Sequence, residues 1–203
     1  MARVVAPVAA RGRPGAGGVV TTVDAATAWS GEPTSLLVLG SATVAGREWL
    51  RVLLPIRPVG ASGWIPRSHA VLSADPTWVE LHIGSRTVTA FRHGRRVLRA
   101  RAVVGAAATP TPAGLAAVYE RDPQPDPHGF LGPWALPLTA LSGVLRNFGG
   151  GPGRIAIHGR DGASLLDPLG SARSHGCIRI ANRAIRRLVA IAPAGTPVQI
   201  DRR

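Results

Sequence analysis

Short apolar runs separated by glycine, serine and proline dominate the first part of this chain and favour strands over helices. The 203 residues include 25 glycines and 18 prolines, and segments such as 19–23 (VVTTV) and 48–55 (EWLRVLLP) are typical of short β-strands. We therefore expect a mainly β fold. It begins with a small N-terminal barrel-like module, and a β-rich domain of sandwich-like or barrel-like type with one or two short helices follows.

The chain divides into three predicted parts. Residues 1–18 are rich in Gly, Pro and Arg, so we expect a flexible arm there. Residues 19–75 carry the segments of the small barrel, and Pro76 favours an extended connection to the second domain, 76–203. Within that domain, 121–133 contains four prolines and two glycines and is expected to form a long exposed loop of the kind that often borders a binding site.

The basic residues are all arginine, 24 of them against 11 acidic residues, for a formal net charge of +13. Such a charge is compatible with a polyanionic partner, and it also follows from a coding bias toward Arg, Ala, Gly and Pro. Because the arginines are scattered, we expect no nucleic-acid binding and keep anionic wall polymers as a possible partner. No apolar run is long enough to predict a transmembrane segment, and no secretory leader is evident at the N-terminus.

The single cysteine, Cys177, excludes an intrachain disulfide and a cysteine-based zinc site. A lone cysteine is either an inert core residue or a reactive thiol, and its neighbours must decide. His175 lies two residues before it and Arg179 two residues after it. Because a basic or cationic neighbour promotes ionisation of a thiol, we predict that Cys177 is a nucleophile.

A second histidine precedes this motif by a short distance. In the predicted strand 154–158, alternation places His158 on the face opposite the isoleucines. If 177–180 forms a neighbouring strand, Cys177 and Arg179 share one face. His158 and Cys177 then face the same cleft.

The chemistry of an activated thiol assigns further roles. His158 is the candidate general base, and the carbonyl of Gly159 is expected to hold its tautomer. The N–H groups of Gly176 and Cys177 are candidate oxyanion donors. Ser174 is expected to position the loop by hydrogen bonding.

This pattern resembles the catalytic signature of the L,D-transpeptidases, the YkuD-like family, in which a histidine precedes Ser/Thr-His-Gly-Cys, a hydrophobic residue and Asn or Arg. The matching positions are His158, Ser174, His175, Gly176, Cys177, Ile178 and Arg179. The resemblance covers most of 77–200. In the N-terminal module, 49–52 (WLRV) and 63–66 (GWIP) resemble a bacterial Src-homology-3-like module.

The resemblance also bears on the supporting residues. His175 is expected to shape the loop and stabilise the oxyanion, with an exchange of roles with His158 as the alternative. Arg179 either binds a substrate carboxylate or lines the oxyanion site, or it holds the loop by backbone hydrogen bonds. Tyr119 and 121–133 are candidates for the cleft wall, with a solvated loop as the alternative.

The resemblance implies a cysteine-dependent reaction without a metal or organic cofactor. Cys177 would attack a tetrapeptide stem of peptidoglycan, form a thioester, and pass the acyl group to the amine of a diaminopimelate-type acceptor stem, giving a 3→3 cross-link. Attack by water would make the protein an L,D-carboxypeptidase, and a wall-binding protein with an idle site is a further alternative. The substrate implies a location in the cell envelope, outside the cytoplasm.

Overall fold

The computed structural model describes residues 1–148 and 150–203, which form a mainly β protein. The strands of the first half are β1 (Ala2–Val4), β2 (Val8–Arg13), β3 (Ala16–Val23), β4 (Ser35–Leu36), β5 (Val38–Val44), β6 (Arg47–Leu53), β7 (Ser62–Pro66), β8 (Ala70–Leu72), β9 (Thr77–His82), β10 (Thr87–Arg92) and β11 (Arg95–Gly105). Those of the second half are β12 (Gly114–Ala117), β13 (Asp122–Pro123), β14 (Trp134–Leu141), β15 (Arg154–His158), β16 (Ala172–Ser174), β17 (Ile178–Ile180) and β18 (Pro197–Asp201). In this described part, the helices are α1 (Asn182–Ile191) and two 3-10 turns (Arg67–His69 and Gly162–Leu166). The predicted fold class is confirmed.

The first eight strands build an N-terminal unit with its own core. Five strands pair in the order β3-β2-β7-β6-β5, and three pair in the order β4-β1-β8. Their buried side chains form one cluster, which includes Val4, Leu50, Val52 and Ile65. The likeness of this unit to a Src-homology-3-like module stays a prediction.

The prediction of a flexible arm over residues 1–18 is wrong. This stretch forms β1, β2 and the start of β3, and β1 pairs with both β4 and β8. The side chains of Ala2, Val4, Val8 and Ala10 are buried. Their alternation with exposed or half-buried neighbours is a strand pattern that the surrounding glycines, prolines and arginines obscured.

The remaining strands form a curled sheet in the order β12-β18-β9-β10-β11-β17-β15-β14-β13, with β16 paired to β11. Most neighbours are antiparallel, but β15 pairs with β17 in parallel. The helix α1 packs its buried residues Ile185, Leu188 and Val189 into the core of this sheet. Since β15 and β17 lie side by side within the sheet, the residues at their ends are fixed by a packed core.

Of the helices in the described ranges, none is both long and apolar enough to cross a membrane.

Candidate active site

Cys177 directly precedes β17, and His158 is the last residue of β15. The register pairs Ile157 with Ile178 and His158 with Arg179, so the predicted adjacency of the two strands is confirmed. The isoleucines are fully buried in the core. Alternation therefore turns Cys177 and His158 to the opposite face of the sheet.

The thiol of Cys177 lies on the wall of a cavity of about 320 Å³. The lining residues are Trp29, Asp122, Leu131, Ala135, Pro137, Phe148, Gly150, Gly151, Pro152, Arg154, Ala156 and Cys177. The Sγ atom lies 3.9 Å from the carbonyl oxygen of Arg154, to which the thiol donates. Burial raises the pKa of Cys177, while the backbone N–H of Ala156 and the charge of Arg179 act in the opposite direction. The resting side chain is therefore a neutral thiol.

His158 is buried, and its Nδ1 lies 2.7 Å from the carbonyl oxygen of Gly159. A carbonyl oxygen only accepts, so Nδ1 carries the proton and the lone pair is on Nε2. Burial lowers the pKa of His158 to about 4, with a smaller contribution from the charge of Arg179 and against the opposing hydrogen bonds to the backbone carbonyls of Gly159 and Leu131. The imidazole is therefore neutral at pH 7, as a general base must be. The ring packs near Phe130, with 6.3 Å between the ring centroids, and His158 is not among the residues that line the cavity.

The loop before Cys177 is held by its own serine. The Oγ of Ser174 donates to the carbonyl oxygen of Cys177 at 2.6 Å and accepts from the N–H of Gly176 at 3.1 Å. The Oγ of Thr111 donates to the carbonyl oxygen of Gly176 at 2.8 Å. Because the N–H of Gly176 is engaged by Ser174, we retain only the N–H of Cys177 as a proposed oxyanion donor.

Gly176 itself has a φ of +115°, a conformation that other residues rarely adopt. A Cβ at this position would lie 2.9 Å from Cδ1 of Ile155. The glycine in the motif is thus required by the backbone angle, and a Cβ here would also press on the terminal methyl group of Ile155.

His175 is exposed and lies against Phe148, with 5.2 Å between the ring centroids. Phe148 lines the cavity, so His175 lies next to its rim. The two histidines are therefore placed differently: His158 is buried and neutral, and His175 is open to solvent.

Arg179 is almost fully buried and forms an ion pair with Asp167, with 2.6 Å between Nη1 and Oδ2. Its guanidinium carbon also lies 4.7 Å from the ring centroid of Phe130. These contacts favour the structural alternative for Arg179 over binding of a substrate carboxylate.

Tyr119 lies behind the cavity wall. Its ring centroid is 4.5 Å from the guanidinium carbon of Arg154, and burial is the main reason that the pKa of Tyr119 is raised. Tyr119 does not itself line the cavity, so it supports a wall residue. The stretch 121–133 does contribute to the wall, through Asp122 and Leu131.

Sequence reasoning missed three wall residues with aromatic or charged side chains, Trp29, Phe148 and Arg154. Arg154 was recoverable, because alternation in β15 places it on the same face as His158. Trp29 had no such signal, since it lies in the loop between β3 and β4, far from the motif in the sequence.

Comparisons with known proteins point to one family. A family model for the L,D-transpeptidase catalytic domain (YkuD) matches residues 76–200. The protein YkuD of Bacillus licheniformis is 32% identical over 125 residues, which is 62% of this chain and 66% of that protein. YkuD of Bacillus subtilis strain 168 is 31% identical over 127 residues, 63% of this chain and 67% of that protein. The chain spans about two thirds of the length of these curated relatives.

Solved structures share the fold. An L,D-transpeptidase from Mycobacterium tuberculosis H37Rv has a TM-score of 0.51 and 15% identity, covering 81% of this chain and 97% of that chain. L,D-transpeptidase 3 from Mycobacterium tuberculosis, in complex with a faropenem-derived adduct, has a TM-score of 0.50 and 16% identity, covering 81% and 98%. At these identities the likeness shows the fold alone.

Proposed function

Because this chain belongs to the L,D-transpeptidase catalytic-domain (YkuD) family, we propose that it is a cysteine-dependent enzyme that forms 3→3 cross-links between peptidoglycan stem peptides. The observation that carries the proposal is the position of Cys177, on the wall of a cavity and beside the strand that ends in His158. An inert core cysteine is expected to be packed among apolar side chains, whereas Cys177 lines a cavity and follows a loop that is fixed by hydrogen bonds.

The first half-reaction acylates the enzyme. The Sγ atom of Cys177 attacks the carbonyl carbon of the third residue of a tetrapeptide stem, and the thiol proton passes to an imidazole. The amide C–N bond then breaks, the proton goes to the departing amine, and the terminal D-Ala leaves. A thioester between Cys177 and the remaining tripeptide stem results.

His158 is the imidazole that we assign to this proton transfer. Its Nδ1–H is held by the carbonyl of Gly159, so Nε2 is the atom that we assign to accept the thiol proton. The thiol and the imidazole are both neutral at rest. In this assignment, the proton moves from sulfur to the imidazole only as the sulfur attacks the substrate carbonyl. The N–H of Cys177 is assigned to the developing oxyanion.

The second half-reaction transfers the acyl group. The side-chain amine of a diaminopimelate residue in a second stem attacks the thioester carbon, the C–S bond breaks, and the proton of the amine restores the thiol. The product is an amide that joins two stems. If water attacks instead, the product is a free tripeptide stem, which is the carboxypeptidase outcome.

A purified tetrapeptide substrate distinguishes these outcomes. We expect incubation with a disaccharide-tetrapeptide to release D-Ala and to give cross-linked dimers, detected by mass spectrometry, and Cys177→Ala to give neither product. Tripeptide without dimers would show a carboxypeptidase. An absence of both products would contradict both enzymatic assignments.

A β-lactam provides an independent probe of the thiol. One structural neighbour is described with a faropenem-derived adduct, and we propose that a penem or carbapenem acylates Cys177 in the same manner. The expected result is a mass increase located at Cys177. Failure of Cys177→Ala to abolish the adduct would exclude this assignment.

We propose a location outside the cytoplasm, in the cell envelope, because the proposed substrate lies there. The net charge of +13 also favours retention on anionic wall polymers, because basic surfaces attract polyanions. We expect retention on purified wall fragments to weaken as salt is raised from 0.05 to about 0.5 M. Retention that is insensitive to salt would contradict the electrostatic part of this proposal.

A further inference from the structure

The wall of the cavity is completed by the N-terminal unit. Every lining residue of the described ranges belongs to the matched family domain except Trp29, which lies between β3 and β4. Half of the Trp29 surface is exposed. Its Cζ2 atom lies 3.8 Å from the point that a Cβ of Gly151 would occupy. The indole is therefore in van der Waals range of the wall segment that contains Gly151.

Trp29 is connected to the nucleophile through one arginine. The guanidinium carbon of Arg154 lies 5.7 Å from the ring centroid of Trp29 and 4.5 Å from that of Tyr119. The backbone carbonyl of the same arginine accepts from the thiol of Cys177. Arginine and aromatic faces attract each other, which favours this arrangement. Trp29, Arg154 and Cys177 therefore lie on one continuous wall.

The loop that carries Trp29 is anchored on its far side. Both the N–H and the Oγ of Ser30 donate to Oε2 of Glu120, at 2.8 and 2.7 Å, and Glu120 is fully buried. Glu32 accepts from the backbone N–H of Arg121 at 3.1 Å and from its Nε and Nη2 at 3.2 and 2.8 Å. A buried carboxylate with two donors and a carboxylate that accepts three N–H groups of one arginine are geometrically strict contacts. They hold the loop in one position on the family domain.

We propose that Trp29 is a specificity-determining residue that binds the acyl-donor stem peptide beside Cys177. This inference rests on the proposed function. A flat, half-exposed indole suits the amide groups and small aliphatic side chains of a stem peptide. The N-terminal unit is thus part of the substrate site, and the family domain by itself has an incomplete cavity.

Binding and turnover are tested separately. In the Cys177→Ala background, which cannot react, we expect Trp29→Ala to weaken binding of the disaccharide-tetrapeptide about tenfold in calorimetry. In the Cys177 enzyme, Trp29→Ala should raise KM for D-Ala release about tenfold and leave the rate of iodoacetamide alkylation within twofold. Trp29→Phe should restore most of the binding. The matched control is Trp64→Phe, a tryptophan of the same unit outside the cavity, which should leave binding unchanged.

The outcomes separate this inference from the proposed function. If the Cys177 enzyme releases no D-Ala but Trp29→Ala still weakens binding tenfold, the proposed reaction fails and the role of Trp29 stands. If the disaccharide-tetrapeptide binds equally well to Cys177→Ala and to the double variant Cys177→Ala, Trp29→Ala, or binds to neither, the role of Trp29 is overturned. A change of more than twofold in the alkylation rate together with a lower Tm would show a structural role instead.

The anchor is tested by charge reversal. Glu32→Arg and Arg121→Glu should each raise KM severalfold by releasing the loop, and the double variant should recover much of the loss, because it restores an ion pair of opposite polarity. An unchanged KM in both single variants would overturn the positioning by this pair.

Discussion

Ser174 and Cys177 are joined by a hydrogen bond of 2.6 Å, from the serine Oγ to the cysteine carbonyl oxygen. The same Oγ accepts from the N–H of Gly176, so a single side chain satisfies both polar ends of the turn that presents the thiol. Because Ser174 is itself buried, water cannot replace these bonds without a change in the structure.

Replacing this serine should destabilise the protein and displace the thiol. We expect Ser174→Ala to lower the free energy of unfolding by about 1–3 kcal/mol, the cost of leaving buried polar groups unpaired, as measured by urea unfolding. Ser174→Thr should retain most of the stability. The control is Ser171→Ala, since the buried Oγ of Ser171 has no hydrogen-bond partner in the described ranges. Equal losses in the two alanine variants would contradict the prediction.

The raised pKa of Cys177 predicts a slowly reacting thiol. Because burial raises the pKa of the Cys177 thiol above its ordinary value, only a small fraction of the thiol is ionised at pH 7, and only the thiolate reacts with iodoacetamide. Alkylation followed by mass spectrometry should therefore accelerate about tenfold per pH unit from pH 7 to 9. Free cysteine measured alongside should level off at lower pH. A rate that is constant between pH 6 and 8 would show that the thiolate is already formed.

The lowered pKa of His158 predicts a loss of stability in acid. Its pKa is about 4 in the folded protein, against 6.5 for the free side chain. Between these values the unfolded chain binds a proton that the folded protein does not, so the free energy of unfolding falls as pH falls from 6.5 to 4. The total is about 3 kcal/mol. Urea unfolding at several pH values measures it.

Substitutions at a buried and at an exposed histidine provide the control for this effect. His158→Asn should remove most of this pH dependence, whereas His93→Asn, at an exposed histidine, should leave it intact. Stability in the starting protein that does not change between pH 6.5 and 5 would contradict the prediction.

The positive φ of Gly176 predicts a strict requirement for glycine. Gly176→Ala should cost about 1–3 kcal/mol, because alanine is strained at a φ of +115° and its Cβ would press on Ile155. Gly143→Ala is the matched control, since a Cβ there meets no atom within 4 Å. Thermal unfolding of both variants measures the difference. If Gly176→Ala is as stable as Gly143→Ala, the close packing described for this turn is incorrect.

Local patterns were enough to predict the elements around the nucleophile. The alternation in 154–158 predicted β15 and its two faces, and the isoleucines on either side of Arg179 predicted β17. In the stretch 1–18 the same kind of alternation is present, but the Gly, Pro and Arg content on its own favours an arm. Composition gives only the average content of a segment and says nothing about the order of its residues. The pairing of β1 with β4 and β8 also depends on residues far along the chain.

Spacing and alternation are properties of neighbouring residues, and they are sufficient to identify the family, the β class of the fold and the motif around Cys177. The burial of neutral His158, the pairing of Arg179 with Asp167 and the reach of Trp29 to the cavity depend instead on tertiary packing. The bonds that hold the Trp29 loop join residues 90 positions apart. Such contacts depend on how the N-terminal unit and the family domain, each with its own core, come together in the fold. A pattern of neighbouring residues carries no information about them.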